Sequence, residues 1–138
     1  MNTHRVLIVD DHPIVRSGLR VTLGRRPDLE VVGEATNGRE AVQAVAQVTP
    51  HIVLMDLTMP EMNGIEATKE IKRRYPDVRV VIVTMHDSVE YAQASLEAGA
   101  DGYVTKDAGS EELQLAISTA LQGVPLRGKT TPTGIAAG

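Results

Sequence analysis

At 138 residues and 42% hydrophobic content, the chain has material for one domain with a full core and too little for two ordinary ones. Aromatic residues make up 2%, with no Phe or Trp, and the formal charge is −4, which argues against base stacking or a grip on nucleic-acid phosphates by this segment itself. The lack of Cys removes disulfides and thiolate metal sites, and a polar start with no apolar stretch of bilayer length leads to the expectation of a cytoplasmic protein without membrane contact.

The first element expected is a strand over 5–9, closed by Asp10 and Asp11, followed by a helix with Val15, Leu19 and Leu23 on one face. Residues 30–34 read as the second strand, and Asn37-Gly38 opens a helix whose apolar face is Ala41, Val45 and Val48. Ile52–Met55 is a wholly apolar third strand closed by Asp56. After Asn63-Gly64 comes a partly polar helix marked by Ile65, Thr68, Ile71 and Lys72. A fourth strand over 79–83 leads through Thr84 to a helix over 88–98, with Asp87-Ser88 to cap it and Gly99 to stop it. A strand over 102–104 and a helix over 110–121 complete the series, and Pro27, Pro50 and Pro76 each stand where a helix should have ended. Beyond Leu121 the amphipathic period is lost, so the expected division is a domain over 1–122 and a linker or tail over 123–138.

Short β-branched strands each followed by a helix imply a doubly wound α/β fold, a mostly parallel sheet covered on both faces with right-handed crossovers. Ligands in such folds bind beyond the carboxyl ends of the strands, where Asp10, Asp11 and Asp56 all fall. Crowded carboxylates repel unless a cation intervenes, and oxygen ligation that leaves room for water and phosphate suits Mg²⁺. Thr84 and Lys106 end two further strands and should reach the same edge, where each can donate to a phosphoryl oxygen. Asp56 is then the expected nucleophile, and its attack on phosphorus gives an acyl phosphate through positioning and charge neutralisation.

These residues resemble the receiver domains of two-component response regulators. The likeness covers residues 4–122 and rests on Val9-Asp10-Asp11-His12, Leu54-Met-Asp56-Leu-Thr-Met-Pro60 with Asn63-Gly64, Val83-Thr84, and Gly99-Ala-Asp-Gly-Tyr-Val-Thr-Lys106. It implies the five-stranded parallel (βα)5 fold in the order 2-1-3-4-5. It also implies a phosphoacceptor at Asp56 and Mg²⁺ held by Asp11, Asp56 and the Thr58 backbone carbonyl, with Asp10 acting largely through water. Thr84 and Tyr103 would form the switch pair and Lys106 would meet the phosphate. Asp11-His12-Pro13-Ile-Val-Arg16, Gly33-Glu-Ala35 and Lys106-Asp107 look most like the NarL/FixJ branch, whose members carry a LuxR-type helix-turn-helix. The implied partners are a sensor histidine kinase, a second copy after phosphorylation, and DNA only through a C-terminal domain that this chain lacks.

The expected activity is a transcription-regulating switch, not an enzyme on external substrates, since the chain would catalyse only its own phosphorylation and dephosphorylation. A single-domain receiver is the alternative output. An Mg²⁺-dependent phosphohydrolase working through an aspartyl phosphate is a weaker rival, because Thr58 stands where that class wants a second acid and no length is spare for a substrate cap. One departure from the family is Asp107, which follows Lys106 where most receivers have a cis-linked proline. A cis bond there would cost about 3 kcal/mol, so the loop should be trans or strained. His12, His51 and His86 lie in different loops without ligand spacing and are given no metal or catalytic role. Arg16, Arg20, Arg25-Arg26 and Lys72-Arg73-Arg74 read as solvated helix faces and ends.

Overall fold

The computed structural model describes residues 3–125, so most of the segment read as linker or tail lies outside the described residues. Five strands, β1 (His4–Val9), β2 (Leu29–Ala35), β3 (Ile52–Met55), β4 (Arg79–Thr84) and β5 (Gly102–Thr105), form one parallel sheet in the order β2-β1-β3-β4-β5. Between and after them run α1 (Pro13–Leu23), α2 (Gly38–Val48), α3 (Gly64–Arg74), α4 (Val89–Glu97) and α5 (Ser110–Ala120). The doubly wound reading and its strand order therefore hold. No helix among the described residues is long and apolar enough to cross a membrane.

Alternation along the strands divides the core into two layers. Leu7, Val9, Val53, Met55 and Ile82 pack with Ala41, Val45, Ala67 and Ile71 of α2 and α3 on one face. Val6, Ile8, Leu54, Val81 and Val83 pack with Leu23, Leu113 and Ile117 of α1 and α5 on the other. Every residue of β3 is buried because that strand is central and covered twice, which is why its sequence is apolar without alternation.

The helices start where short polar side chains can take orphan N–H groups. Asn37 accepts from Glu40, Ser88 accepts from Tyr91, and Asn63 forms a reciprocal capping box with Glu66. Helix α1 has no side-chain cap and opens on Pro13, whose missing N–H needs no partner there. Gly99 has φ 103, the left-handed stop expected after the fourth helix.

Several basic residues read as solvated are instead tethers. Arg16 and Arg20 of α1 both pair with Glu34 of β2, Arg26 joins Asp28 to Gln114 and Ser118 of α5, and the Lys72 ammonium meets Asp101 and the Val78 carbonyl. Sequence period places such side chains on a polar face, but long stems let them reach across to acids on neighbouring elements.

Candidate functional site

The carboxyl ends of β1, β3, β4 and β5 converge, and the ladder itself carries the acids together: Asp10 N–H donates to the Ala35 carbonyl and Asp56 N–H to the Val9 carbonyl. Asp10 and Asp56 are almost fully buried, and Asp11, one residue further along, faces the cleft. The loop after β3 is held against them by glycine. A Cβ on Gly64 would sit 2.1 Å from the Asp56 carbonyl oxygen and one on Gly38 2.2 Å from that of Met62, so Asn37-Gly38 and Asn63-Gly64 serve close approach as well as capping.

Lys106 reaches in from the end of β5. Its Nζ lies 2.6 Å from Asp10 Oδ2 and 3.5 Å from Asp56 Oδ1, and its N–H donates to the Thr84 carbonyl at 2.7 Å. No cis peptide occurs among the described residues, so the Lys106–Asp107 bond is trans and the departure at Asp107 leaves the lysine aimed at the acids. Asp56 Oδ1 also accepts the Leu57 N–H at 2.9 Å. Burial, and then the neighbouring Asp10 charge, push the Asp56 carboxyl above its usual range, while Lys106 pulls the other way.

A cleft of about 350 Å³ opens over these groups, lined by Asp11, Asp56, Thr58, Thr84, His86 and Lys106 among others. Thr84 Oγ1 accepts the His86 N–H at 3.2 Å, and the Tyr103 hydroxyl donates to the His86 carbonyl at 2.5 Å. Tyr103 is half-buried and packed on the α2–α3 side of the core.

The donor set fits a hard divalent ion. Ligand atoms of Asp10, Asp11, Asp56 and His12 lie within 4.8 Å of one another, and the buried Asp11 Oδ1 has no partner among the described residues besides the His12 imidazole. Lys106 alone among lysines and arginines pairs with these carboxylates in the described residues. His12 is the neighbour that sequence reasoning set aside: its Nδ1 stands 3.1 Å from Asp10 Oδ1 and 3.0 Å from Asp11 Oδ1, with a largely exposed ring. Its adjacency to the acid pair was the available signal. His86 also joins the site, whereas His51 accepts the Arg5 N–H at the opposite end of the sheet.

Known proteins resemble this chain in sequence and in fold. The family model described as response regulator receiver domain matches residues 6–118. The transcriptional regulatory protein DegU of Brevibacillus brevis is 38% identical over 122 residues, 88% of this chain and 52% of that protein. The response regulator GacA of Pseudomonas protegens is 42% identical over 119 residues, 86% of this chain and 56% of that protein. The chain thus spans about half the length of the curated relatives it matches. A crystal structure of a LuxR-family two-component response regulator from Aurantimonas sp. SI85-9A1 superposes with a TM-score of 0.84 at 46% identity, covering 89% of this chain and 88% of that one.

Proposed function

The chain belongs to the response regulator receiver domain family, and from that premise we propose that Asp56 takes a phosphoryl group from the phosphohistidine of a sensor kinase. The observation that carries this reading is a buried nucleophile short of positive charge: Asp56 shares one lysine with Asp10 and stands beside Asp11, at the floor of an open cleft. Asp11, Asp56 and the Thr58 carbonyl would hold Mg²⁺, with Asp10 acting largely through water. The ion would supply neutralisation of the charge spread over the transferring group.

The protein's own part is positioning. Leu57 N–H and Lys106 hold Asp56 Oδ1, which leaves Oδ2 as the attacking oxygen. As it bonds to phosphorus, the bond to the donor imidazole breaks in line. Lys106 and the Thr84 hydroxyl then donate to phosphoryl oxygens, and the Thr84–His86–Tyr103 chain of hydrogen bonds carries the change to the loop after β4. The chain turns over no external substrate in this scheme.

The output we infer is transcription regulation by a LuxR-type DNA-binding region outside this chain, with association into a dimer after phosphorylation and a cytoplasmic setting. It is supported by the relatives named as transcriptional regulators and the LuxR-family structural neighbour. Acetyl phosphate with Mg²⁺ should add one phosphate by intact mass, none in EDTA and none on Asp56→Asn. An undiminished adduct on that variant would overturn the assignment.

A further inference from the structure

Four contacts meet at His86. Its N–H and carbonyl engage Thr84 and Tyr103, and its ring does two further things. Nε2 lies 2.7 Å from Thr58 Oγ1, and the imidazole packs on the Tyr91 ring with centroids 4.5 Å apart and planes tilted by 32°. Thr58 stands two residues after Asp56, and Tyr91 is in the first turn of α4. The ring therefore joins the phosphoacceptor loop to a helix without passing through the side chains of Thr84 or Tyr103.

Helix α4 is the element such a contact can move. Of its residues only Ser95 is buried, and Val89 and Leu96 are largely exposed, whereas α3 buries Gly64, Ala67, Thr68 and Ile71. A helix with so few buried contacts sits at the low end of local stability, so one ring at its start is a large share of its anchoring. Tyr91 is also fixed at both sides of its peptide. Its N–H donates to Ser88 Oγ at 3.1 Å, and its carbonyl accepts from Ser95 Oγ at 2.7 Å, so a displacement at Tyr91 reaches the one buried residue of the helix.

We propose that His86 is a positioning residue whose imidazole couples the Asp56 loop to α4, a second route beside the Thr84–Tyr103 pair. The proposal rests on Asp56 being the phosphoacceptor. An aspartyl phosphate brings charged acceptor oxygens into a cleft lined by both Thr58 and His86, and a charged acceptor outcompetes a neutral hydroxyl–imidazole bond for the available proton. The tether from Thr58 to the ring is lost, the ring turns, and its packing on Tyr91 goes with it.

The test uses the full chain with Mg²⁺ and saturating beryllofluoride, read by hydrogen exchange over 88–98. His86→Phe keeps an aromatic ring against Tyr91 and removes the bond to Thr58; Tyr91→Leu keeps that bond and removes the ring contact, away from the cleft. In the parent the phosphate mimic should change exchange across α4 by about threefold or more, and each variant should show less than about half of that response. Combining His86→Phe with Thr84→Ala should abolish it. A response in His86→Phe equal to the parent would overturn the proposal, since a ring that merely packed against Tyr91 would be replaced by Phe without loss. Intact mass with acetyl phosphate, run alongside, separates the two readings: no adduct on the parent removes the phosphoacceptor assignment and this coupling with it, whereas an adduct with unchanged coupling in both variants removes the coupling alone.

Discussion

The two ends of the sheet each hold acids among cations, with opposite charge balance. At the amino end, Asp101 Oδ2 accepts the Val80 N–H at 2.8 Å and lies 3.1 Å from Lys72 Nζ, with Arg79 3.9 Å from the other oxygen. One acid there has two cations and a backbone donor. At the carboxyl end, Asp10 and Asp56 share Lys106, and the buried Asp11 Oδ1 beside them has only the His12 imidazole at 3.0 Å. The first arrangement pairs its one acid with opposite charge, although Arg79 Nε is itself buried without a hydrogen bond, and it joins the end of α3 to the starts of β4 and β5. The second is stable only as far as the rest of the fold holds like charges together, and that deficit is the basis of the affinity we propose for a cation and a phosphoryl group.

Substitutions at the two ends should therefore differ in kind. The largest effect is on metal: Asp11→Ala should weaken Mg²⁺ binding roughly a hundredfold by calorimetric titration, because it deletes a charged ligand, while Thr84→Ala and Asp101→Ala should leave it nearly unchanged. Equal losses at Asp11 and Thr84 would mean that the ligands are misassigned. Next in size, Asp101→Ala should lower unfolding stability by about 1.5–3 kcal/mol, seen in the urea midpoint, since it strands the Val80 N–H and uncovers Lys72.

The smallest effect has the opposite sign. Asp56→Asn should raise stability at neutral pH by roughly 0.5–2 kcal/mol, the return from relieving a strained functional site. Burial and Asp10 raise the folded Asp56 carboxyl above its ordinary value of 3.8, so the neutral form favours the fold. That contribution is fully present below the unfolded value and is lost as pH rises through the folded one. The advantage of Asp56→Asn should accordingly shrink as pH falls through the raised value, and a gap that stayed constant with pH would contradict this origin.

How the site was legible follows from the same contrast. Period-2 and helical patterns expose the elements, and an acid directly after an apolar run marks a strand's carboxyl end, so Asp10, Asp11, Asp56, Thr84 and Lys106 could be placed at one edge before any coordinates. Lys72 and Asp101 could not be paired that way, because they are far apart in sequence and each looks solvated by its own period. His12 is given no role in the sequence for a related reason: a ring beside two acids has no metal-ligand spacing of its own, and its approach to Asp10 and Asp11 depends on where α1 begins. The Thr58–His86–Tyr91 contact links two loops and a helix, and nothing in local sequence signals it.

If charge deficit makes Asp56 the phosphoacceptor, the modification should map to that residue and depend on Mg²⁺. After incubation with acetyl phosphate and Mg²⁺, borohydride reduces an acyl phosphate to an alcohol, leaving a homoserine where the phosphorylated aspartate stood. Peptide mass spectrometry should find that conversion at residue 56, with none at Asp10, Asp11 or Asp101 and none anywhere when EDTA is present. Conversion at one of the other aspartates, or conversion at residue 56 that persists in EDTA, would rule out Asp56 as the Mg²⁺-dependent phosphoacceptor.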